Sequence, residues 1–127
     1  MAGTLITSTL QGTTLTDGTN STSTTNCIQG SAKAWVRFNN GTINASYNVS
    51  SVTRNGTGDY SINFTNALTD ANYSTVGSVQ NSTANYGWCF TPYYSAAPTT
   101  SAVRVATSTA GGAALADVAY CNVAVFR

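Results

Sequence analysis

From Lys33 onward, apolar and polar residues alternate in short runs broken by turn residues. Ala34, Val36 and Phe38 are interleaved with Trp35 and Arg37, and Asn39-Asn40-Gly41 then turns the chain. Ile43, Ala45, Tyr47 and Val49 alternate with Asn44, Ser46 and Asn48, the period of two that belongs to a half-buried strand. A third strand, at residues 50–54, runs into Asn55-Gly56-Thr57-Gly58, and beyond it Tyr60, Ile62 and Phe64 alternate with Ser61 and Asn63. Asn-Gly between two alternating runs predicts a hairpin, because both residues tolerate positive φ. Its structural residues are Asn55, Gly56, Gly58, Asp59 and Tyr60.

Further strands are predicted at 73–80, 88–91, 102–108 and 117–126. Thr69-Asp70-Ala71-Asn72, the polar stretch 81–85, Pro92 through Pro98, and Ala110-Gly111-Gly112 separate them. No stretch keeps a helical period over three turns. Roughly eight strands joined by short connections point to an all-β fold, an antiparallel β-sandwich occupying residues 27–127. Trp35 is expected in the core beside Val36 and Phe38, although strict alternation places it on the opposite face.

Residues 1–26 differ from the rest. They are rich in Thr, Ser and Gly, with Leu5, Ile6, Leu10 and Leu15 as the large apolar groups after Met1, too few to fold alone. The expectation is an extended Thr-rich N-terminal arm that orders against another subunit, with those four residues as its oligomerisation or docking contacts.

Composition sharpens this picture. Charged residues make up only 7% of the chain against about 25% in an average soluble domain, and Ser, Thr and Asn, more than a third of the residues, take their place. Lys33, Arg37, Arg54, Arg104 and Arg127 are scattered and the net charge is +1, so no field gathers phosphates and nucleic acid is not an expected partner. So weakly charged a β-protein risks edge-to-edge association, which favours an oligomer that buries its edges. No run approaches the roughly 18 apolar residues of a membrane span. Met1-Ala2-Gly3 lacks the basic start of a secretion signal, so Cys27, Cys89 and Cys121 are expected as reduced thiols, with Cys121 a buried apolar group and a Cys89–Cys121 bridge the alternative. The eight Asn-X-Ser/Thr sequons are the chance yield of a chain rich in those residues.

Candidate chemistry is sparse. Histidine and glutamate are absent; the acids are Asp17, Asp59, Asp70 and Asp117, three of them in turn-like settings. Without His there is no Ser–His or Cys–His pair, the cysteines lack close metal-ligand spacing, and no glycine-rich phosphate loop occurs. The expectation is a non-enzyme without cofactor or metal. One cluster suits binding: Tyr86, Trp88, Tyr93 and Tyr94, aromatic side chains that stack on sugar rings or anchor protein interfaces.

Three runs carry a resemblance: Ala32-Lys33-Ala34-Trp35-Val36-Arg37-Phe38-Asn39, Ala45-Ser46-Tyr47-Asn48-Val49-Ser50-Ser51-Val52-Thr53, and Asn55-Gly56-Thr57-Gly58-Asp59-Tyr60-Ser61-Ile62-Asn63-Phe64-Thr65. Asp17-Gly18-Thr19-Asn20-Ser21 and the closing 118–126 extend it. Together they resemble a recurrent module of tail-fibre and other virion structural proteins of tailed bacteriophages, especially those infecting cyanobacteria. The resemblance implies a homotrimer displayed on the virion surface and assembled in the host cytoplasm. Its partners would be itself and either the major capsid protein or a tail component. On the expectation that the chain runs complete from Met1 to Arg127, the short arm suits a capsid decoration, or cement, protein. The alternative is a short tail fibre or receptor-binding tip recognising a host surface glycan or protein.

Overall fold

A computed structural model describes residues 12, 14–81, 88–109 and 114–127. The chain divides after Ser31 into two compact units. In the first, β1 (Thr14–Thr16) and β2 (Ser21–Ser23) form an antiparallel hairpin, followed by helix α1 (Thr24–Gly30). Thus residues 14–30 fold back on themselves where an extended course through residue 26 was expected. The physical reason lies in the turn. The Asp17 carboxylate accepts the backbone N–H groups of Thr19 and Asn20 at 2.9 and 2.6 Å, and Gly18 takes φ +95°. Ser23 then caps the helix, its hydroxyl accepting Asn26 N–H at 3.0 Å. This helix has two turns and buries no residue, so it leaves no apolar period in the sequence to read.

The second unit is built from antiparallel strands: β3 (Ala32–Asn39), β4 (Thr42–Tyr47), β5 (Val49–Gly56), β6 (Asp59–Phe64), β7 (Ser74–Gln80), β8 (Cys89–Pro92), β9 (Ala102–Ser108) and β10 (Tyr120–Phe126). They make two four-stranded sheets, ordered β4-β3-β10-β7 and β5-β6-β9-β8. The chain changes sheet between β4 and β5, β6 and β7, β7 and β8, and β9 and β10, so its last strand lies between β3 and β7.

Both sheets feed one apolar core. Val36 and Phe38 of β3 and Cys121, Val123 and Val125 of β10 share it with Tyr60 and Ile62 of β6 and Val103 and Val105 of β9. Phe38 meets Tyr60 edge-on, with ring centroids 5.0 Å apart. Each large side chain so buried contributes roughly 1.5–3 kcal/mol. All three cysteines are free thiols; Cys27 and Cys89 are exposed, while burial pushes the Cys121 thiol up to about 12.

Three features differ from what the sequence leads one to expect, each for a local reason. Trp35 points away from the core, 40% exposed, which corrects its expected burial: alternation with Ala34 and Val36 outweighs its hydrophobicity. The run from Ile43 to Val49 is two strands in two sheets. Asn48, at φ +53°, turns the corner. Its amide donates to Lys33 O (3.0 Å) and Asn66 O (3.2 Å), and its Oδ1 accepts Asn66 N–H at 2.8 Å. Val49 therefore enters the core, while Ala45 and Tyr47 are exposed instead of half-buried. Finally, β5 pairs with β6 as a hairpin, with the turn at Thr57-Gly58 beyond a register shift between Arg54 and Gly56. The Asn-Gly pair that sits in the turn at positive φ is Asn40-Gly41, at +48° and +90°.

Gly58 is where backbone freedom is required. It sits at φ +64°, and a Cβ there would collide with the Thr107 carbonyl and lie 2.6 Å from Ala116 N. A Cβ at Gly56 would meet nothing within 4 Å. Gly58→Ala is therefore expected to destabilise the fold by about 3 kcal/mol or more, while Gly56→Ala changes stability by less than about 1 kcal/mol. Paired urea melts of the two variants check this; equal midpoints would refute the backbone clash.

Candidate functional site

The four carboxylates are each held by several donors. Asp117, just before β10, is the most heavily engaged. Its Oδ1 accepts Tyr60 O–H at 2.6 Å, Gly58 N–H at 2.9 Å and Arg54 Nε–H at 3.2 Å, and its Oδ2 accepts Arg54 Nη2–H at 2.6 Å. The Arg54 bonds, then the Gly58 N–H and the Tyr60 hydroxyl, hold this carboxyl far below the usual carboxylate range against the effect of burial. Burial, followed by the bond to Asp117, pushes the Tyr60 hydroxyl above its usual phenol range, so it stays protonated and donates. Such an acid is a fixed anion with its lone pairs occupied, unsuited to exchanging protons near neutral pH. In an exposed pair, Arg127 Nε donates to Asp70 Oδ1 at 2.8 Å.

Asp59 anchors a second arrangement on the outer face of the β5-β6-β9-β8 sheet. Its carboxylate pairs with the Arg104 guanidinium on β9, with Nε to Oδ1 at 2.7 Å, and accepts Asn55 Nδ2 at 3.2 Å. Arg104 foremost holds the Asp59 carboxyl below its ordinary value. The guanidinium lies 4.3 Å from the centroid of Tyr93, and Tyr93 stacks on Tyr94 at 5.6 Å with an interplanar angle of 21°. Tyr94, in the turn after β8, is 95% exposed.

The outer face of the β4-β3-β10-β7 sheet is of another kind. Strand register aligns Tyr47, Trp35, Ala124 and Val76 in a single row across all four strands. Tyr47, Trp35 and Val76 are all substantially exposed. Ala124 is the smallest of the four, so the row dips between Trp35 and Val76 into an open groove of about 510 Å³. At one end Arg37 lies over Tyr120, 4.3 Å from its ring centroid, and beside it Asn122 donates to Ser78 Oγ at 3.2 Å.

Of the residues singled out from sequence, Asn55, Gly58, Asp59 and Tyr60 come together around the β5–β6 hairpin. Gly56 stands in open space. Tyr93 and Tyr94 form the stacked pair, while Trp88 packs against the core, apart from them in role. Tyr86 lies outside the described residues, as do Leu5, Ile6 and Leu10; Leu15 is half-buried in β1. Sequence reasoning missed Asp117 as a hub, Arg104 as a support and the Tyr47–Val76 row. The row was readable only once strand register was known, and the Asp117 contacts span 57 to 63 residues. Among the described residues no three Cys or acidic side chains gather as metal ligands, and no helix is long and apolar enough to cross a membrane.

The Asp117 network fixes a pH dependence. The folded carboxyl lies below its ordinary value of 3.8, so the unfolded chain takes up the proton first as the pH falls. The stabilisation is fully present above that value and declines as the pH drops below it; Asp59 and Asp70, also lowered, act with the same sign. Asp117→Ala would leave the Tyr60 hydroxyl and Gly58 N–H without their acceptor and is expected to cost about 2–4 kcal/mol at neutral pH. In urea melts from pH 7 down to pH 2, the gap between this variant and the parent should narrow toward acid. A gap that stays constant would refute the assignment. Compared with family models, curated proteins and solved structures, the chain matches none.

Proposed function

We propose that the chain is a non-enzymatic structural protein of the tailed-phage virion surface. In this reading its two sheets form a β-sandwich that trimerises, and the trimer is a capsid decoration protein stabilising the head against the major capsid protein. The observation that carries the assembly role is the apolar row Tyr47, Trp35, Ala124 and Val76 on the outer face of one sheet. Exposed apolar residues scattered singly are ordinary, but a contiguous strip with an open groove suits a protein contact. The assignment to a phage particle comes from the resemblance of most of residues 17–75 and the C-terminal strand to virion modules. The absence of His and Glu, together with four carboxylates occupied by structural donors, supports a role without catalysis.

A second reading, a short tail fibre or receptor-binding tip, is favoured by the supported and fully exposed Tyr94 ring.

Light scattering of the purified chain should give the mass of a trimer, and Val76→Asp should shift it toward monomer while far-UV circular dichroism is retained. Added to capsids lacking it, the trimer should bind at high copy and raise their melting temperature. Unchanged capsid melting would overturn the decoration role, and a parent that scatters as a monomer would overturn the trimer.

A further inference from the structure

We propose that the outer face of the β5-β6-β9-β8 sheet, from the Tyr93–Tyr94 pair across to Thr53, binds a neutral saccharide. The proposal holds whether the chain sits on head or tail, and whether or not it trimerises.

The aromatic end is organised before any ligand arrives. Tyr94 offers a ring face to water, its back against Tyr93. Tyr93 rests on Arg104, which Asp59, only 6% exposed, grips through a two-pronged ion pair. A ring already stacked on a neighbour has less freedom to lose on binding than a lone one, which helps a small contact yield measurable affinity. The face of a tyrosine ring is electron-rich and meets electropositive edges. The axial C–H groups of a pyranose supply such edges over an area the size of the ring.

Beyond Arg104 lies a floor of hydrogen-bonding groups in cross-strand register. Arg104 sits opposite Ser61, which sits opposite Thr53; the next outward pair is Asn63 and Ser51. Four strands at about 4.8 Å spacing give a span of roughly 14 Å from Tyr93 to Thr53. The side chains are pinned to one another in one sense. Asn63 Nδ2 donates to Ser51 Oγ (3.0 Å) and Thr53 Oγ1 (3.3 Å), and Asn55 Nδ2 donates to Ser61 Oγ (2.9 Å). Each hydroxyl thus accepts a bond and retains its own proton to donate, while the amide oxygens of Asn55 and Asn63 remain acceptors. Fixed donors and acceptors interleaved on a flat surface match the hydroxyls of a sugar, each of which donates and accepts.

Charge selects the class. The charged groups of this face, Arg104 and Asp59, neutralise each other, and Arg54 is turned to Asp117. An acidic sugar would find no unpaired cation, so the neutral hexoses and N-acetylhexosamines fit best.

The test is a titration of the ¹⁵N-labelled full chain, followed by its amide resonances. The probes are the methyl glycosides of glucose, galactose, mannose and N-acetylglucosamine, their trisaccharides, and the methyl glycoside of sialic acid. At least one neutral probe should shift resonances within 51–63 and 93–104, with a dissociation constant on the order of millimolar for a single ring. Tyr94→Ala and Asn63→Ala should each weaken that binding by about tenfold or more, and Gln80→Ala, on the other sheet, should leave it unchanged. Because Tyr94 is outside the core, Tyr94→Ala should melt like the parent, so lost binding is not lost fold. No shift with any neutral probe, binding undiminished in Tyr94→Ala, or preference for sialic acid would each overturn the proposal.

Discussion

One carboxylate joins parts of the fold that no strand pairing connects. Asp117 stands where the chain leaves the sheet containing β9 and is about to enter the other as β10. It ties this crossover to the β5–β6 hairpin, taking hydrogen bonds from Gly58 N–H in the turn, from Tyr60 O–H, which reaches it from the core, and from Arg54, the partner of Tyr60 in register. Neighbouring bonds tighten the same junction: Thr107 N–H donates to Gly58 O at 2.8 Å, and Thr107 Oγ1 donates to Ala116 O at 2.7 Å. The crossover, the hairpin turn and the Tyr60 ring are therefore positioned together. A buried phenol needs an acceptor, and a carboxylate drawn toward the core needs several donors. Each of these groups supplies what another lacks, so the network is stable as a whole and vulnerable at each member.

The same economy recurs at Asn48, the opposite kind of junction. Here a neutral amide does the joining, using both its donor and its acceptor on backbone groups of Lys33 and Asn66 while its own backbone occupies the left-handed region. Asn is the side chain that does both at once, because it tolerates positive φ and carries a donor and an acceptor at short reach. A chain with few charges thus secures two of its four passages between sheets, β9 to β10 by an ion-paired knot and β4 to β5 by an amide clamp.

The strands were legible because alternation is a local property, enforced residue by residue wherever one face is buried. The positions of β3, β6, β9 and β10 followed from Val36, Tyr60, Val105 and Val123 without knowledge of their partners. The break at Asn48 was not legible, since Val49 continues the period-two run even though it belongs to the other sheet. Trp35 shows the converse: alternation gave its direction correctly, and its size argued for the wrong side. At the candidate site, Tyr93 and Tyr94 stood out by composition. Their supports, Arg104 and Asp59, are 45 residues apart and meet only through strand register. The helix α1 escaped because it rests on a Ser23 cap and not on an apolar stripe.

The two outer faces answer one problem in opposite ways. With charged residues at 7%, neither sheet can cover itself with ion pairs. On the sheet holding β5 and β6, outward positions carry Ser51, Thr53, Ser61 and Asn63, cross-bonded in rows that present hydroxyls and amides to water. On the sheet holding β3 and β10, one outward row carries Trp35, Tyr47, Val76 and Ala124, beside a polar row of Arg37, Asn122 and Ser78. Had these four been spread over different rows, each would be an ordinary exposed apolar residue, flanked by polar neighbours. Register places them in a single row, so their apolar areas add to one contiguous strip, and the smallest of them sets the dip between its neighbours. A surface short of charge gains nothing in solubility from such alignment. The alignment gains something only when a second surface covers the strip, as it would in the proposed assembly.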